Sequence, residues 1–167
     1  IPISELIHPK VEAEFAFVTN KPLSGDSVTV EEVLDATELV VPAVEIIDSR
    51  YKDFKFDLIS VMADNSSSTR FVIGGRAARP EEFDWSTRGV VMSKNGEVVE
   101  LGAGAAVLDH PAASVAMLAS MLSERDEIIP AGTFIMTGGI TAAVLVEAGD
   151  SIVVRYQDMG DVSMKFV

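Results

Sequence analysis

Two apolar, strand-forming runs of this chain carry acidic side chains where an ionised group is costly to bury, and that conflict constrains the fold more than any other feature. Lys10-Val-Glu-Ala-Glu-Phe-Ala-Phe-Val18 alternates with period two. Val11, Ala13, Phe15 and Phe17 therefore face one way, and Glu12 and Glu14 face the other. Val41-Pro-Ala-Val-Glu-Ile-Ile-Asp-Ser-Arg50 places Glu45 among Leu39, Val40, Val41, Ala43, Val44, Ile46 and Ile47, a run that reads as a strand buried on both faces. A charge taken out of water must be paired, protonated or bound to a cation. Glu12 and Glu14 lie about 7 Å apart along one strand face, close enough to converge on one ion. Glu45, from a second strand, supplies a third ligand. Oxygen-only ligands suit a hard divalent cation such as Mg2+ or Mn2+ and not zinc.

Two plainer readings stand beside this one. Alternation alone puts Glu12 and Glu14 on the outer face of an exposed strand without any function. A salt bridge from Glu45 to Arg50, Lys52 or Lys55, all near it in sequence, would satisfy that carboxylate equally well.

At 167 residues, 48% of them hydrophobic and 23% charged, the chain holds one globular domain's worth of material and enough for a sizeable core. No uninterrupted apolar stretch approaches the roughly 20 residues that span a bilayer, and no secretory or transit-like N-terminus is recognisable. The first residue is Ile1, from which we expect a part of a longer product. The absence of cysteine rules out a disulfide framework, a thiolate nucleophile and a thiolate metal site, and a cytoplasmic location is compatible with it. A net charge of −13 opposes binding to a phosphate backbone or an anionic membrane. An anionic substrate would need local neutralisation, which a bound cation provides.

The coarse pattern is β-rich. Strands are predicted over 10–18, 39–47, 58–64, 71–73, 133–137, 151–157 and 161–167, with a loop over 20–28. Thr29 and Glu32 form a capping-box pattern ahead of a short helix over 30–37. Residues 90–101 read as a hairpin about Asn95-Gly96, the residues a type I′ turn prefers. Pro111 opens the one long helix, over 111–124. There is no internal repeat.

Only two histidines occur, so no zinc-protease spacing exists. His110 precedes Pro111 and suits a helix-start turn. His8, close to Glu12 in sequence, is a further site candidate. Asp64-Asn65-Ser66 opens a polar loop that either presents catalytic groups or forms an Asx or Ser/Thr turn. The backbone N–H groups of Thr137-Gly138-Gly139-Ile140-Thr141 either bind a carboxylate or make a plain tight turn. The loop lacks the spacing of a phosphate-binding lysine loop.

Taken in order, Pro9-Lys-Val-Glu-Ala-Glu-Phe-Ala-Phe-Val18, Pro42-Ala-Val-Glu-Ile-Ile-Asp-Ser-Arg50, Ala63-Asp-Asn-Ser-Ser67 and Thr137-Gly-Gly-Ile-Thr141 resemble the fumarylacetoacetate hydrolase superfamily, in its branch of meta-cleavage hydratases and decarboxylases. The resemblance covers essentially the whole chain. Arg50-Tyr-Lys-Asp-Phe-Lys-Phe-Asp-Leu-Ile-Ser60 and Gly138-Gly-Ile-Thr-Ala-Ala-Val144 incline it towards the decarboxylases, whose sister hydratases share the same metal-ligand framework.

The resemblance implies a β-rich α+β fold, a mixed β-roll or barrel with few helices. It implies one catalytic domain over 1–167 that forms the C-terminal part of a longer enzyme, with an upstream segment bringing further acid/base residues, including a lysine. Glu12, Glu14 and Glu45 fall on the family's three metal-binding acids, for Mg2+ or Mn2+. Asp64, Asn65 and Ser66 fall on its active-site loop. Many hydrolases of the superfamily carry a lysine there, so Asp64-Asn65 argues against carbon–carbon bond hydrolysis. Gly138, Gly139 and Thr141 fall on the loop that holds a substrate carboxylate; hydrolases tend to show Thr-Gly-Thr-Pro where this chain has Thr137-Gly138-Gly139-Ile140. The implied reaction is metal-dependent decarboxylation of 2-oxo-3-hexenedioate to 2-hydroxypenta-2,4-dienoate and CO2, in the catabolism of aromatic hydrocarbons. Hydration of 2-hydroxypenta-2,4-dienoate and a catalytically silent, partner-binding scaffold are the alternatives. The implied partners are a small keto-dicarboxylate, further copies of the chain in a homo-oligomer, and the pathway hydratase.

Overall fold

The period-two run forms β1 (Lys10–Thr19), the strand around which the rest is arranged. The structure is a computed structural model and describes all of residues 1–167. β1 pairs antiparallel with β2 (Thr37–Ile47) along its length, Lys10 opposite Ile47 and Val18 opposite Leu39. β3 (Ser68–Ile73) joins the free edge of β2, while β6 (Phe134–Met136) and the two-residue β7 (Val144–Leu145) join the other edge of β1. A second antiparallel sheet has the order β5-β4-β8-β9, from β4 (Gly89–Lys94), β5 (Glu97–Ala103), β8 (Ser151–Tyr156) and β9 (Gly160–Lys165). β4 and β5 form the predicted hairpin. Asn95 and Gly96 both have positive φ, 55° and 89°, as a type I′ turn requires.

The core lies between the two sheets. Val11, Ala13, Phe15 and Phe17 of β1 face Met92, Ile152 and Val154 of the second sheet, and none of the seven is exposed. Trp85 packs its edge on Phe15 and Phe17, with centroids 5.4 and 6.4 Å away, and donates its indole N–H to the Pro80 carbonyl at 2.7 Å. Truncating either phenylalanine to alanine costs about 3–5 kcal/mol at such a site.

The first sheet is strongly coiled. Phe71 of β3 stacks on Phe134 of β6 at 5.3 Å, although β2 and β1 lie between those strands. Three strand intervals of a flat sheet would span about 14 Å. Glu45 pairs with Phe71 and Val18 with Phe134, so the stacked rings stand on the face that carries Glu12, Glu14 and Glu45. That face is the inside of a trough.

Two expectations change, and one strand was not foreseen. Residues 58–64 form no strand but the helix α2 (Leu58–Ala63), capped by the Asp57 carboxylate, which accepts from the Ser60 N–H at 2.8 Å. A short apolar run does not by itself separate helix from strand, and no strand lies beside this one to pair with it. β2 is not buried on both faces: Val40, Val44 and Ile46 are fully enclosed, whereas Leu39, Val41, Glu45 and Ile47 are half-buried along the trough. β7 escapes sequence reading because two residues carry no period.

Helix α1 (Val30–Asp35) has the expected capping box: Thr29 N–H donates to Glu32 Oε2 at 2.8 Å, and Glu32 N–H donates to Thr29 Oγ1 at 3.2 Å. Helix α3 (Pro111–Ser123) is capped by His110 Nδ1, which accepts from Ala112 N–H at 3.0 Å. With the turn Gly104–Ala106 ahead of it, the stretch from Gly104 to Ser123 has the length and hydropathy of a bilayer span. Leu108 and Asp109 break it, with φ of 49° and 66°. The 13 residues of α3 make about 20 Å at 1.5 Å per residue, and Ala112, Val115 and Ala119 are enclosed in the core.

Candidate metal centre

Strand register creates the site. Glu12 lies directly opposite Glu45, and Glu14, one alternate step along, lies opposite Ala43. A carboxylate oxygen from each of the three acids comes within 4.8 Å of the others. Like charges directly across an antiparallel pair are destabilising, and here a third is added. Glu14 is 1% exposed; Glu12 and Glu45 are half-buried. The ion pairs of the molecule leave all three acids out. Of the bases near Glu45 in sequence, Arg50 pairs with Asp64, and Lys55 lies 3.9 Å from Asp53.

Burial drives the Glu14 carboxyl up to about 8; the Gly138 N–H opposes that rise, and the charges of Glu45 and Glu12 add to it. Glu12 is raised as well, by burial first and the Glu45 charge second, with Lys10 opposing. Beneath the strand pair, the buried Tyr156 hydroxyl of the second sheet donates to the Ala43 carbonyl.

The late glycine loop backs the acids. Gly138, at φ 106°, donates its N–H to Glu14 Oε2 at 2.8 Å. A Cβ on Gly139 would stand 2.9 Å from Glu12 Oε2, so a side chain there would push that carboxylate out of its present place. Thr137 Oγ1 donates to the Phe15 carbonyl at 2.9 Å, and Thr141 Oγ1 accepts from Ala13 N–H at 3.2 Å. Gly138 and Thr141 thus engage the chain's own acids and backbone.

Asp64 is a fastener. Its buried carboxylate accepts from Ser67 Oγ at 2.8 Å, Ser49 Oγ at 3.1 Å, Arg50 N–H at 3.2 Å and Arg50 Nε. Burial alone would raise it, but the donors, led by Arg50 and Ser67, outweigh burial and hold it at about 2. Asn65, Ser66 and Ser67 follow in left-handed conformations, with φ of 54°, 53° and 59°. Three such residues in a row are unusual away from functional loops. The Asn65 and Ser66 side chains are exposed in the turn between α2 and β3, whose first residue pairs with Ile47 at the end of β2.

The structure therefore brings Glu12, Glu14 and Glu45 together, sets Gly138, Gly139 and Thr141 behind them, and places Asp64, Asn65 and Ser66 at one end of the trough. His8 sits under Phe54, ring centroids 4.9 Å apart. Sequence reasoning overlooked Phe71 and Phe134, since only the pairing reveals that they line the trough. It also overlooked Lys10, which the same alternation puts on the face of Glu12. Three converging carboxylates, none of them in an ion pair, fit a hard divalent cation.

The fumarylacetoacetate (FAA) hydrolase C-terminal family matches residues 2–167. The chain is 66% identical over 164 residues to 4-oxalocrotonate decarboxylase of Pseudomonas putida, covering 98% of this chain and 62% of that protein. It is 39% identical over 176 residues to 2-oxo-hept-4-ene-1,7-dioate hydratase of Escherichia coli, covering 100% of this chain and 65% of the relative. Among solved structures, 4-oxalocrotonate decarboxylase from Pseudomonas putida G7, complexed with magnesium and adipate, superposes with a TM-score of 0.98 at 64% identity, over 100% of this chain and 64% of that one.

Proposed function

We propose that this chain, which belongs to the fumarylacetoacetate hydrolase family, is the metal-holding part of an enzyme that decarboxylates 2-oxo-3-hexenedioate to 2-hydroxypenta-2,4-dienoate and CO2. The observation that carries the reading is the meeting of Glu12, Glu14 and Glu45 within 4.8 Å. The magnesium and adipate complex of a 64% identical relative supports both the cation and a six-carbon dicarboxylate ligand. The chain spans 62% of the length of the decarboxylases it matches, so the activity is assigned to the full-length protein, in which an upstream segment completes the acid/base set.

Glu12, Glu14 and Glu45 hold Mg2+ or Mn2+, which when bound supplies Lewis-acid polarisation of a 2-keto acid. The chain's own residues do the rest. Gly138 N–H and the space at Gly139 keep two of the three carboxylates aimed before any ligand arrives, which is the preorganisation that catalysis by charge stabilisation needs. Phe71 and Phe134 stack along the trough and offer an apolar face that suits a flat conjugated chain. Asn65 and Ser66 orient the substrate from the strained loop at the trough's end, with Asp64 fixing that loop. The substrate's conjugated ketone is itself the electron sink, so neither pyridoxal nor thiamine chemistry is called upon. The full-length protein assembles as a homo-oligomer and pairs with the pathway hydratase.

The test is an ultraviolet assay of the full-length protein, following loss of the conjugated keto acid with and without magnesium, together with CO2 release and metal analysis. Magnesium-dependent loss with CO2 is expected. Consumption of 2-hydroxypenta-2,4-dienoate, with no CO2 from the hexenedioate, would instead establish the hydratase reading that the 39% identical relative favours. A metal-free, inactive protein that still binds the pathway hydratase would establish the scaffold.

A further inference from the structure

The trough has a basic end. Lys10 stands one alternate step before Glu12 on the same strand face, opposite Ile47 of β2 and Leu145 of β7. In a chain of net charge −13, its ammonium forms no ion pair. It lies instead 4.2 Å from the centroid of Phe54. The same ring covers His8, whose Nε2 is shut away from solvent with no hydrogen-bond partner. Buried polar atoms without partners are rare. The three side chains line a cleft of about 270 Å3 with Asp53 and Leu145. Of the acids around it, Glu12 feels the Lys10 charge without forming an ion pair with it, Asp48 accepts the N–H groups of Ile7 and His8, each at 2.8 Å, and Asp53 lies 3.9 Å from Lys55. Asp53 and Phe54 are both left-handed, at φ 56° and 54°, a conformation bulky side chains rarely adopt. A strained turn therefore holds the Phe54 ring over two basic groups beside the acid cluster.

We propose that Lys10, flanked by His8, is the subsite for the second carboxylate of a dicarboxylate whose keto-acid end is held at Glu12, Glu14 and Glu45; this rests on the reading of those acids as a metal centre. One alternate step along a strand, about 7 Å, matches the reach of a six-carbon diacid. The incoming carboxylate displaces the Phe54 ring. Lys10 exchanges a cation–π contact for a charge-assisted hydrogen bond, which is stronger, and His8 Nε2 gains a partner. In the proposed reaction this is the carboxylate that leaves as CO2, its bond electrons passing into the conjugated chain, so its negative charge is lost on the way to the transition state. Lys10 accordingly holds the ground state more than the transition state. It selects substrates and sets KM without raising kcat.

The experiment is calorimetric titration of the full-length protein, with magnesium, by 2-oxoadipate and by 2-oxohexanoate, which differ only in the second carboxylate. Wild type should prefer the diacid by about tenfold or more, the scale of one charge-assisted hydrogen bond. Lys10→Met should abolish that preference with the monoacid affinity unchanged, Lys10→Arg should keep most of it, and His8→Gln should lower it in part. Phe54→Leu, which removes the competing ring and keeps Lys10, should strengthen diacid binding alone. In turnover, Lys10→Met should raise KM and spare kcat. A Lys10→Met protein that retains the diacid preference overturns the subsite, as does a Phe54→Leu protein that binds both acids as wild type does. If neither acid binds wild type with magnesium, or if chelation leaves both affinities unchanged, the metal-centre reading fails and the subsite falls with it.

Discussion

Glu14 and Asp64 are both buried carboxylates, 1% and 2% exposed, and their protonation is pulled in opposite directions. Desolvation acts on each. Asp64 is met by two serine hydroxyls and two donors of Arg50, and is held at about 2. Glu14 is met by one backbone N–H and two further carboxylates, and is pushed to about 8. Burial therefore does not separate an acid that fastens a loop from one we propose as a metal ligand; the count of donors around it does. A carboxylate supplied with donors fastens the chain, whereas one surrounded by its own kind is completed by a cation.

The widest split between the two is expected from Glu14→Gln, which keeps the shape and removes a ligand charge. Magnesium affinity of the full-length protein, read by calorimetry, should fall by more than about 100-fold, beyond the range of outer-shell changes. The metal-free thermal midpoint at pH 7 should rise, because glutamine can be buried without the proton that Glu14, raised to about 8, must take up on folding. Unchanged magnesium binding would break the contrast outright. Asp64→Asn should do the reverse: the thermal midpoint falls, as four donors lose their anionic acceptor, while magnesium affinity stays near wild type.

Acid titration sharpens the contrast further. Glu14 sits at about 8 when folded, against an ordinary 4.5, so the folded state binds the extra proton. On this residue's account, metal-free stability falls as pH rises from 4.5 to about 8. Asp64, at about 2 when folded against 3.8, contributes stability that is fully present above 3.8 and is lost as pH falls through 2. Denaturant melts across this pH range should show both slopes. Saturating magnesium should remove the Glu14 slope, since protons and metal compete for the same oxygens. The smallest effect is expected from Gly139→Ala, whose Cβ would crowd Glu12 Oε2 at 2.9 Å. About a tenfold loss in magnesium affinity is expected, the low end for groups that orient a ligand, with the fold intact by circular dichroism.

Much of this contrast is legible before any coordinates. Alternation in 10–18 separates Phe15 and Phe17 from Glu12 and Glu14, and the Thr29 box, the Asn95-Gly96 turn and the Pro111 helix start are all local signals that the structure repeats. Asp64 is not legible in the same way. It reads as a catalytic candidate from its loop, and nothing nearby in sequence announces that Ser49 and Arg50, some fifteen positions earlier, supply its donors. The strand predicted over 58–64 fails for a related reason: its apolar residues suit either period, and the Asp57–Ser60 cap was the overlooked sign of a helix.

Residue order alone, through periods of two and caps a few positions long, decided that two acids share a strand face opposite a buried one and that a third lies within another strand. Only the packed chain decided that Glu12 and Glu45 stand in register, that Gly138 and Gly139 arrive behind the acids from more than a hundred residues away, and that the sheet coils until Phe71 meets Phe134. Facing direction is a property of consecutive dihedrals. Convergence depends on register between distant strands, which the whole core selects at once.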